Sequence, residues 1–262
     1  MFSVKWSVLF LTLFVGSTDG YSDATAKTAG EIPSRLNHVR PDVSWPVWVS
    51  LSDASDSRGA LRWNLFAPDV TARFKRALER NRDGQCNWIL HEPSQEDEIR
   101  GPKLRSIARH AKLIVHGEVG QSEIGFFHGM PGTLYEVKGE VVASQAPRGT
   151  DDSQRALFLF VAGADISTAD GTLCYRGHPS TISSLRKHDR ILVFSPHGPV
   201  DESSSLLYVD LARHVVVQPE GQDEVSANEL TEAMQEESHS QALTIDEILV
   251  EIAVLGEAGE IR

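Results

Sequence analysis

The segments that decide the fold are residues 111–119, AKLIVHGEV, and residues 133–144, TLYEVKGEVVAS. Both are rich in valine, and such β-branched content favours extended strands. In the second segment the charged residues Glu136, Lys138 and Glu140 alternate imperfectly with apolar residues. The Val-rich and aromatic content therefore supports β structure more than strict alternation does.

The strand-like composition continues to residue 218, with short Gly-, Pro-, Asp- and Ser-rich segments that favour turns. No long helix intervenes, so parallel βαβ units are disfavoured. We therefore predict an α+β protein in which residues 111–218 form a central antiparallel five-stranded β-barrel, OB-like, with flanking helices. The predicted strands are Lys112–Val119, Thr133–Ser144, Arg155–Ala162, Asp189–Ser195 and Leu206–Val217.

Helices are predicted on both sides of this barrel. Residues 27–110 form an irregular and helical region that we expect to pack on the barrel, with an amphipathic helix that begins at Pro68. Residues 224–262 contain two S/T-x-x-E capping boxes, Ser226–Glu229 and Thr244–Glu247, and each predicts the start of a helix.

The first 20 residues have the layout of a secretory signal peptide. Lys5 precedes an apolar run, and small and polar residues follow it. Cleavage is expected after Gly20, or as late as residue 26. The apolar run is too short to span a bilayer comfortably, so we expect a secreted or periplasmic protein without a stable membrane span. An uncleaved N-terminal anchor is the alternative.

The chain has two cysteines, Cys86 and Cys174. In an oxidising compartment a disulfide between them is favoured. Two unrelated buried thiols are the alternative.

Composition and charge narrow the function classes. The chain has 262 residues, of which 40% are hydrophobic and 24% charged, and these values argue against a disordered chain or a polytopic membrane protein. A formal charge of −12 argues against nucleic acid as a partner, because phosphates require a basic surface. The charge is uneven: residues 58–112 carry 12 basic and 7 acidic residues, whereas residues 201–262 carry 2 and 15.

Candidate site residues come from turns, because the sequence motifs of P-loops, dinucleotide binding, zincins, thioredoxin-like redox proteins and serine esterases are absent from the mature sequence. His128, His178 and His197 each lie beside glycine or proline in a predicted loop. If the barrel brings these loops to one end, neutral imidazoles could hold Zn²⁺. Scattered surface histidines are the alternative.

Several segments together carry a family resemblance: a short helix followed by Ala111–Val119, then Met130–Val137 (MPGTLYEV), Asp189–Phe194 and Leu243–Leu249 (LTIDEIL). In this order they resemble a loose set of uncharacterised secreted bacterial proteins with an OB-like β-barrel and a short C-terminal helix. The resemblance covers about residues 103–255. It implies a fold and an export route, and it brings no catalytic residues with it.

These observations predict a non-catalytic binding or structural module whose partner is an unknown protein or small ligand. A metal-dependent hydrolase that uses the loop histidines is the alternative. A third hypothesis is a protein-interaction surface on the basic helix face or on the acidic C-terminal helices.

Overall fold

The computed structural model describes residues 48–81, 89–90, 104–144, 157–176, 184–197, 206–238 and 243–261. These residues all belong to one compact unit, residues 32–262. The helices are α1 (Leu51–Ala54), α2 (Pro68–Arg80), α3 (Leu104–His110), α4 (Glu229–Ser238) and α5 (Ile245–Glu257), with a 3₁₀ turn at Trp63–Leu65. The strands are β1 (Trp48–Ser50), β2 (Ile89–Leu90), β3 (Leu113–Phe127), β4 (Met130–Ser144), β5 (Leu157–Thr168), β6 (Gly171–Arg176), β7 (Arg190–Ser195), β8 (Leu206–Val209) and β9 (Val215–Gln218).

These strands form one sheet in the order β2-β6-β5-β4-β3-β7-β9, with β1 paired to β3 and β8 paired to β5. The pairs are antiparallel except β2–β6 and β5–β8. The sheet curls into a half-barrel, which confirms the predicted α+β class and a barrel-like antiparallel sheet. The predicted number of five strands is wrong, because the described residues contain nine. Several of the additional strands have only two to four residues, too few for a periodic sequence signal.

The long β3–β4 hairpin is the centre of the sheet. Its turn contains two residues, His128 (φ 46°) and Gly129 (φ 72°), and positive φ at both positions is the type I′ geometry that suits the twist of a hairpin. The β3–β4 register shifts twice, between Ile114 and Val115 and between Val119 and Ser122. Such bulges increase local twist and help a sheet to curl.

Side chains alternate between the two faces of the curled sheet. The inner face forms one apolar cluster that includes Val115 and Val119 on β3, Ile191 on β7 and Val215 on β9. The outer face around Ile114 is covered by α3, α4 and α5. Two further apolar clusters complete the core, one between α2 and the β5–β6 hairpin and one around the ring of Phe160.

The C-terminal helices are held by specific caps. α5 has the predicted capping box between Thr244 and Glu247. The prediction for α4 is wrong in detail, because its first residue is Glu229 and the preceding Asn228 caps it by accepting from the Thr231 N–H (2.9 Å). The Asn228 amide also donates to the carbonyls of Leu211, in the β8–β9 connection, and Val215, the first residue of β9, so α4 is fixed to the sheet.

The sheet also extends beyond the predicted barrel limits of 111–218. β1 pairs with the end of β3, and β2 pairs with β6, so parts of residues 27–110 belong to the sheet itself. The predicted signal peptide lies outside the described residues and stays a prediction. Among the described helices, none has the length and apolar character needed to cross a membrane.

Candidate functional site

A polar groove of about 500 Å³ lies on the outer face of the sheet, across β3, β4 and β7. We call it the β3–β4–β7 groove. The residues that line it are His116, Gly117, Glu118, Lys138, Gly139, Glu140 and Arg190.

The strand register explains why these side chains meet. Glu118 on β3 lies opposite Lys138 on β4 and opposite Arg190 on β7, which gives a row of alternating charge across three strands. His116 lies opposite Glu140 and forms the next row. Residues two apart on a strand point to the same face, so both rows share the outer face with Ile114.

The floor between the two rows is the backbone of the Gly117–Gly139 pair. The two strands approach closely here: a Cβ at Gly139 would lie 2.5 Å from Gly117 Cα and would overlap the carbonyl oxygen of His116. A Cβ at Gly117 would lie 2.7 Å from Val137 Cγ1. Glycine is therefore required at both positions by the approach of the strands.

Arg190 is fixed by the first turn of α5. Its Nη2 donates to Asp246 Oδ1 (2.6 Å) and its Nη1 to Asp246 Oδ2 (3.3 Å), a bidentate contact. The hydrogen bond raises the pKa of Arg190 and lowers the pKa of Asp246. Both groups therefore stay charged, and α5 is joined to the wall of the groove.

His116 lies next to this pair, with its Nε2 3.5 Å from Arg190 Nη2. Burial lowers the pKa of His116, and the positive charge of Arg190 lowers it further, against opposing contributions from Glu140 and Asp246. The imidazole is therefore neutral at neutral pH. Since the guanidinium can only donate, Nε2 is the ring atom that accepts from it.

Glu118 is also paired. His188 Nδ1 lies 2.7 Å from Glu118 Oε1, and the His188 N–H donates to the Val119 carbonyl at 2.9 Å. His188 has a φ of 71°, an uncommon conformation for a residue with a side chain. These contacts hold it against the end of the groove.

Lys138 and Glu140 are the two remaining charged residues of the groove. Lys138 and Glu140 are exposed, and neither forms an ion pair with another residue that the structure describes. They are separated by one residue on β4, about 7 Å between Cα atoms. Among the residues that the structure describes, Lys138 and Glu140 thus give the groove one cation and one anion without an ion-pair partner, above a backbone floor and beside a neutral imidazole.

Two histidines of the predicted metal site, His128 and His197, lie outside the lining of the groove. His128 is in the β3–β4 turn, whereas His197 follows β7, whose last residue pairs with Leu113 at the opposite end of β3. The structure therefore does not bring these two histidines together, and His178 lies outside the described residues. Within the part of the chain that the structure describes, no three His, Cys, Asp or Glu side chains are grouped to hold a metal ion.

The structure describes one of the two cysteines of the predicted disulfide. Cys174 is buried on β6, and Cys86 lies outside the described residues. Ile89 of β2 pairs in parallel with Tyr175, so the chain three residues after Cys86 runs beside the residue that follows Cys174. The disulfide stays a prediction.

Sequence reasoning missed the groove. The usable signal was the set of charges at alternate positions of β4, where Lys138 and Glu140 share a face. Comparisons of the chain with protein-family models, with curated proteins and with solved structures give no match.

Proposed function

We propose that this chain is a secreted or periplasmic, non-catalytic binding module built on an OB-like barrel. Two features of the connectivity support the OB-like assignment. The strands β3, β4 and β5 form a meander, and β7 returns from later in the chain to pair with β3, as in a Greek key. β8 then lies parallel to β5, on the way to closing the barrel.

The binding site of this module is the β3–β4–β7 groove. Its ligand carries both a positive and a negative group. The observation that supports this is that Lys138 and Glu140 line the groove and form no ion pair with another residue that the structure describes. The other two charged wall residues already have partners, Arg190 with Asp246 and Glu118 with His188. A ligand anion would meet the Lys138 ammonium, and a ligand cation would meet the Glu140 carboxylate.

The spacing of Lys138 and Glu140 along β4 favours a short peptide. The terminal ammonium and carboxylate of an extended dipeptide are about as far apart as alternate residues of a strand, roughly 7 Å. The backbone floor leaves room between the two side-chain rows. The neutral His116 ring accepts from Arg190 at Nε2, so its Nδ1–H can donate to a peptide carbonyl. A free dipeptide is therefore the smallest probe that satisfies both charges.

Calorimetric titration with three related dipeptides tests the proposal. Ala-Ala carries both charges, N-acetyl-Ala-Ala lacks the cation, and Ala-Ala amide lacks the anion. We expect Ala-Ala to bind and the two blocked forms to bind roughly 3- to 10-fold more weakly, since each loses one partly exposed charge pair. Equal binding of all three peptides, or no binding of Ala-Ala, would contradict the proposed ligand.

Matched variants test whether Ala-Ala binds in the groove. Lys138→Gln and Glu140→Gln each remove one charge and should weaken Ala-Ala binding. Lys187→Gln and Glu232→Gln remove exposed charges of the same kind elsewhere and should leave it unchanged. Equal losses in all four variants would indicate a general charge effect.

A further inference from the structure

The outer face of α5 carries a second surface with a distinct composition. Val250 and Val254 are 66% and 58% exposed, and a spacing of four residues places them one turn apart on the same face. The opposite face of α5 is anchored in the core through Ile248 and Ile252. The exposed valines are therefore held on a fixed helix.

Acidic residues surround the two valines. Glu247, Glu251 and Glu257 are exposed on α5, and the helix contains no lysine or arginine. Two α5 helices placed face to face would bring these carboxylates together, and like charges across an interface oppose association. The charge of this surface instead fits a basic helix.

The chain itself supplies such a helix. α2 exposes Arg73, Lys75, Arg76 and Arg80 together with the acidic Asp69 and Glu79, so its surface carries a net charge of +2. Arg73, Lys75 and Arg76 lie on the side away from its buried residues, with the small Ala72 between them. Lys75 lies over the ring of Trp63, 5.3 Å from its centroid, which orders that side chain. The aliphatic stems of such residues can cover apolar surface while their charged ends pair with carboxylates.

The two helices cannot meet within one molecule. The buried face of α2 packs in the cluster around Phe74 and Phe126, whereas α5 packs in a separate cluster around Ile114 and Leu192. Within the described part of one molecule the exposed faces of α2 and α5 therefore do not meet, so a contact between them requires a second molecule. Because the two surfaces differ, the contact is head-to-tail and leaves one surface of each type free at the ends.

We propose that α2 of one copy of this chain docks on α5 of a second copy, which gives weak, open-ended self-association. A contact between two single helices buries less than a standard interface of about 1,200–2,000 Å², so the association requires high protein concentration. Salt weakens it, because the charge pairs are exposed.

Sedimentation equilibrium on the purified protein in 0.1 M salt tests this proposal. At this salt the general repulsion between chains of charge −12 is largely screened beyond about 10 Å, whereas contacts within the interface persist. We expect the weight-average mass to rise with concentration above the 28.8 kDa of one full chain, and to fall in 0.5 M salt. A constant single-chain mass up to about 1 mM, beyond the range of a useful weak contact, would overturn the proposal.

Charge exchange identifies the two faces. Glu251→Lys with Glu257→Lys should abolish association, and so should Lys75→Glu with Arg76→Glu in a second variant. Mixing the two variants should restore it, because each altered face then meets its complement. Val250→Ser should also weaken the association. If the two charge variants associate as wild type does, or if their mixture stays monomeric, the α2–α5 contact is refuted; dipeptide binding in the groove is measured separately.

Discussion

The close approach of the strands at Gly139 predicts that a single added methyl group will destabilise the sheet. An alanine Cβ at this position would overlap the His116 carbonyl oxygen and lie 2.8 Å from the His116 carbonyl carbon. Both are backbone atoms of β3, so no side-chain rotation can relieve the contact. The two strands must move apart at the floor of the β3–β4–β7 groove.

The magnitude follows from two contributions. Inserting a carbon into a tightly packed site costs about 1–3 kcal/mol. Separating the strands weakens one or two hydrogen bonds of the β3–β4 ladder, at about 1 kcal/mol each. We therefore expect Gly139→Ala to lower the free energy of unfolding by about 2–4 kcal/mol, and to reduce Ala-Ala binding because the groove floor changes shape.

Gly256→Ala is the matched control. Gly256 lies in the last turn of α5, where an added Cβ would have Ile261 Cγ1 at 3.9 Å as its nearest neighbour. Alanine favours the helix, so this variant should be more stable by about 0.5–1 kcal/mol. Urea unfolding followed by circular dichroism measures both changes. If Gly139→Ala lies within about 0.5 kcal/mol of wild type, the close approach does not exist as described.

Three further predictions concern the cap, the histidine and the cysteines. Asn228→Ala removes the cap of α4 and leaves two buried carbonyls without their donor, so urea unfolding should show that the free energy of unfolding falls by about 2–4 kcal/mol. Thr244→Ala, whose capping hydrogen bond is exposed, should lower it by at most about 1 kcal/mol. Burial, and then the charge of Arg190, hold the pKa of His116 below the usual histidine value of 6.5, so the unfolded chain binds a proton at a higher pH than the folded chain does. Stability from this group is present above pH 6.5 and is lost as the pH falls below it, and NMR titration should show the pKa of His116 rise in Arg190→Gln. A thiol assay of unfolded, unreduced protein should find no free thiol and should find two after reduction; two free thiols before reduction would contradict the predicted Cys86–Cys174 disulfide.

Strict alternation of apolar and polar residues is absent from β5, which begins LFLFV, and from β7, which contains ILVF, and these residues are buried at consecutive positions. The sequence nevertheless predicted the central strands, from their Val-rich and aromatic composition. It failed where a turn is hidden in an apolar run: residues 206–217 were predicted as one strand, but Asp210 accepts the Ala212 N–H (2.8 Å) through its side chain and ends β8. The His214 N–H donates to the Asp210 carbonyl, which completes the turn before β9 begins. Asp210, Arg213 and His214 are the only charged or imidazole side chains in this segment, and the segment contains no glycine or proline to mark the turn.

The groove could not be predicted because its residues come from three strands far apart in sequence. His116, Lys138 and Arg190 meet only through the β3–β4 and β3–β7 registers, and strand composition does not specify which residues lie opposite each other. The histidines in turns were more conspicuous in the sequence, but the antiparallel arrangement places His128 and His197 at opposite ends of β3. Register therefore determined which polar residues form a site.

The most direct test of the binding proposal is an ¹⁵N–¹H NMR titration of the protein with Ala-Ala. The amides of Gly117 and Gly139 form the groove floor and should shift as the peptide is added, together with that of His116. The amides of Gly132 on β4 and Gly256 on α5 lie outside the groove lining and should not move. Saturable shifts at Gly117 and Gly139 that are weaker with N-acetyl-Ala-Ala would support the account. Unchanged groove amides at saturating peptide, or shifts centred on other parts of the sheet, would contradict it.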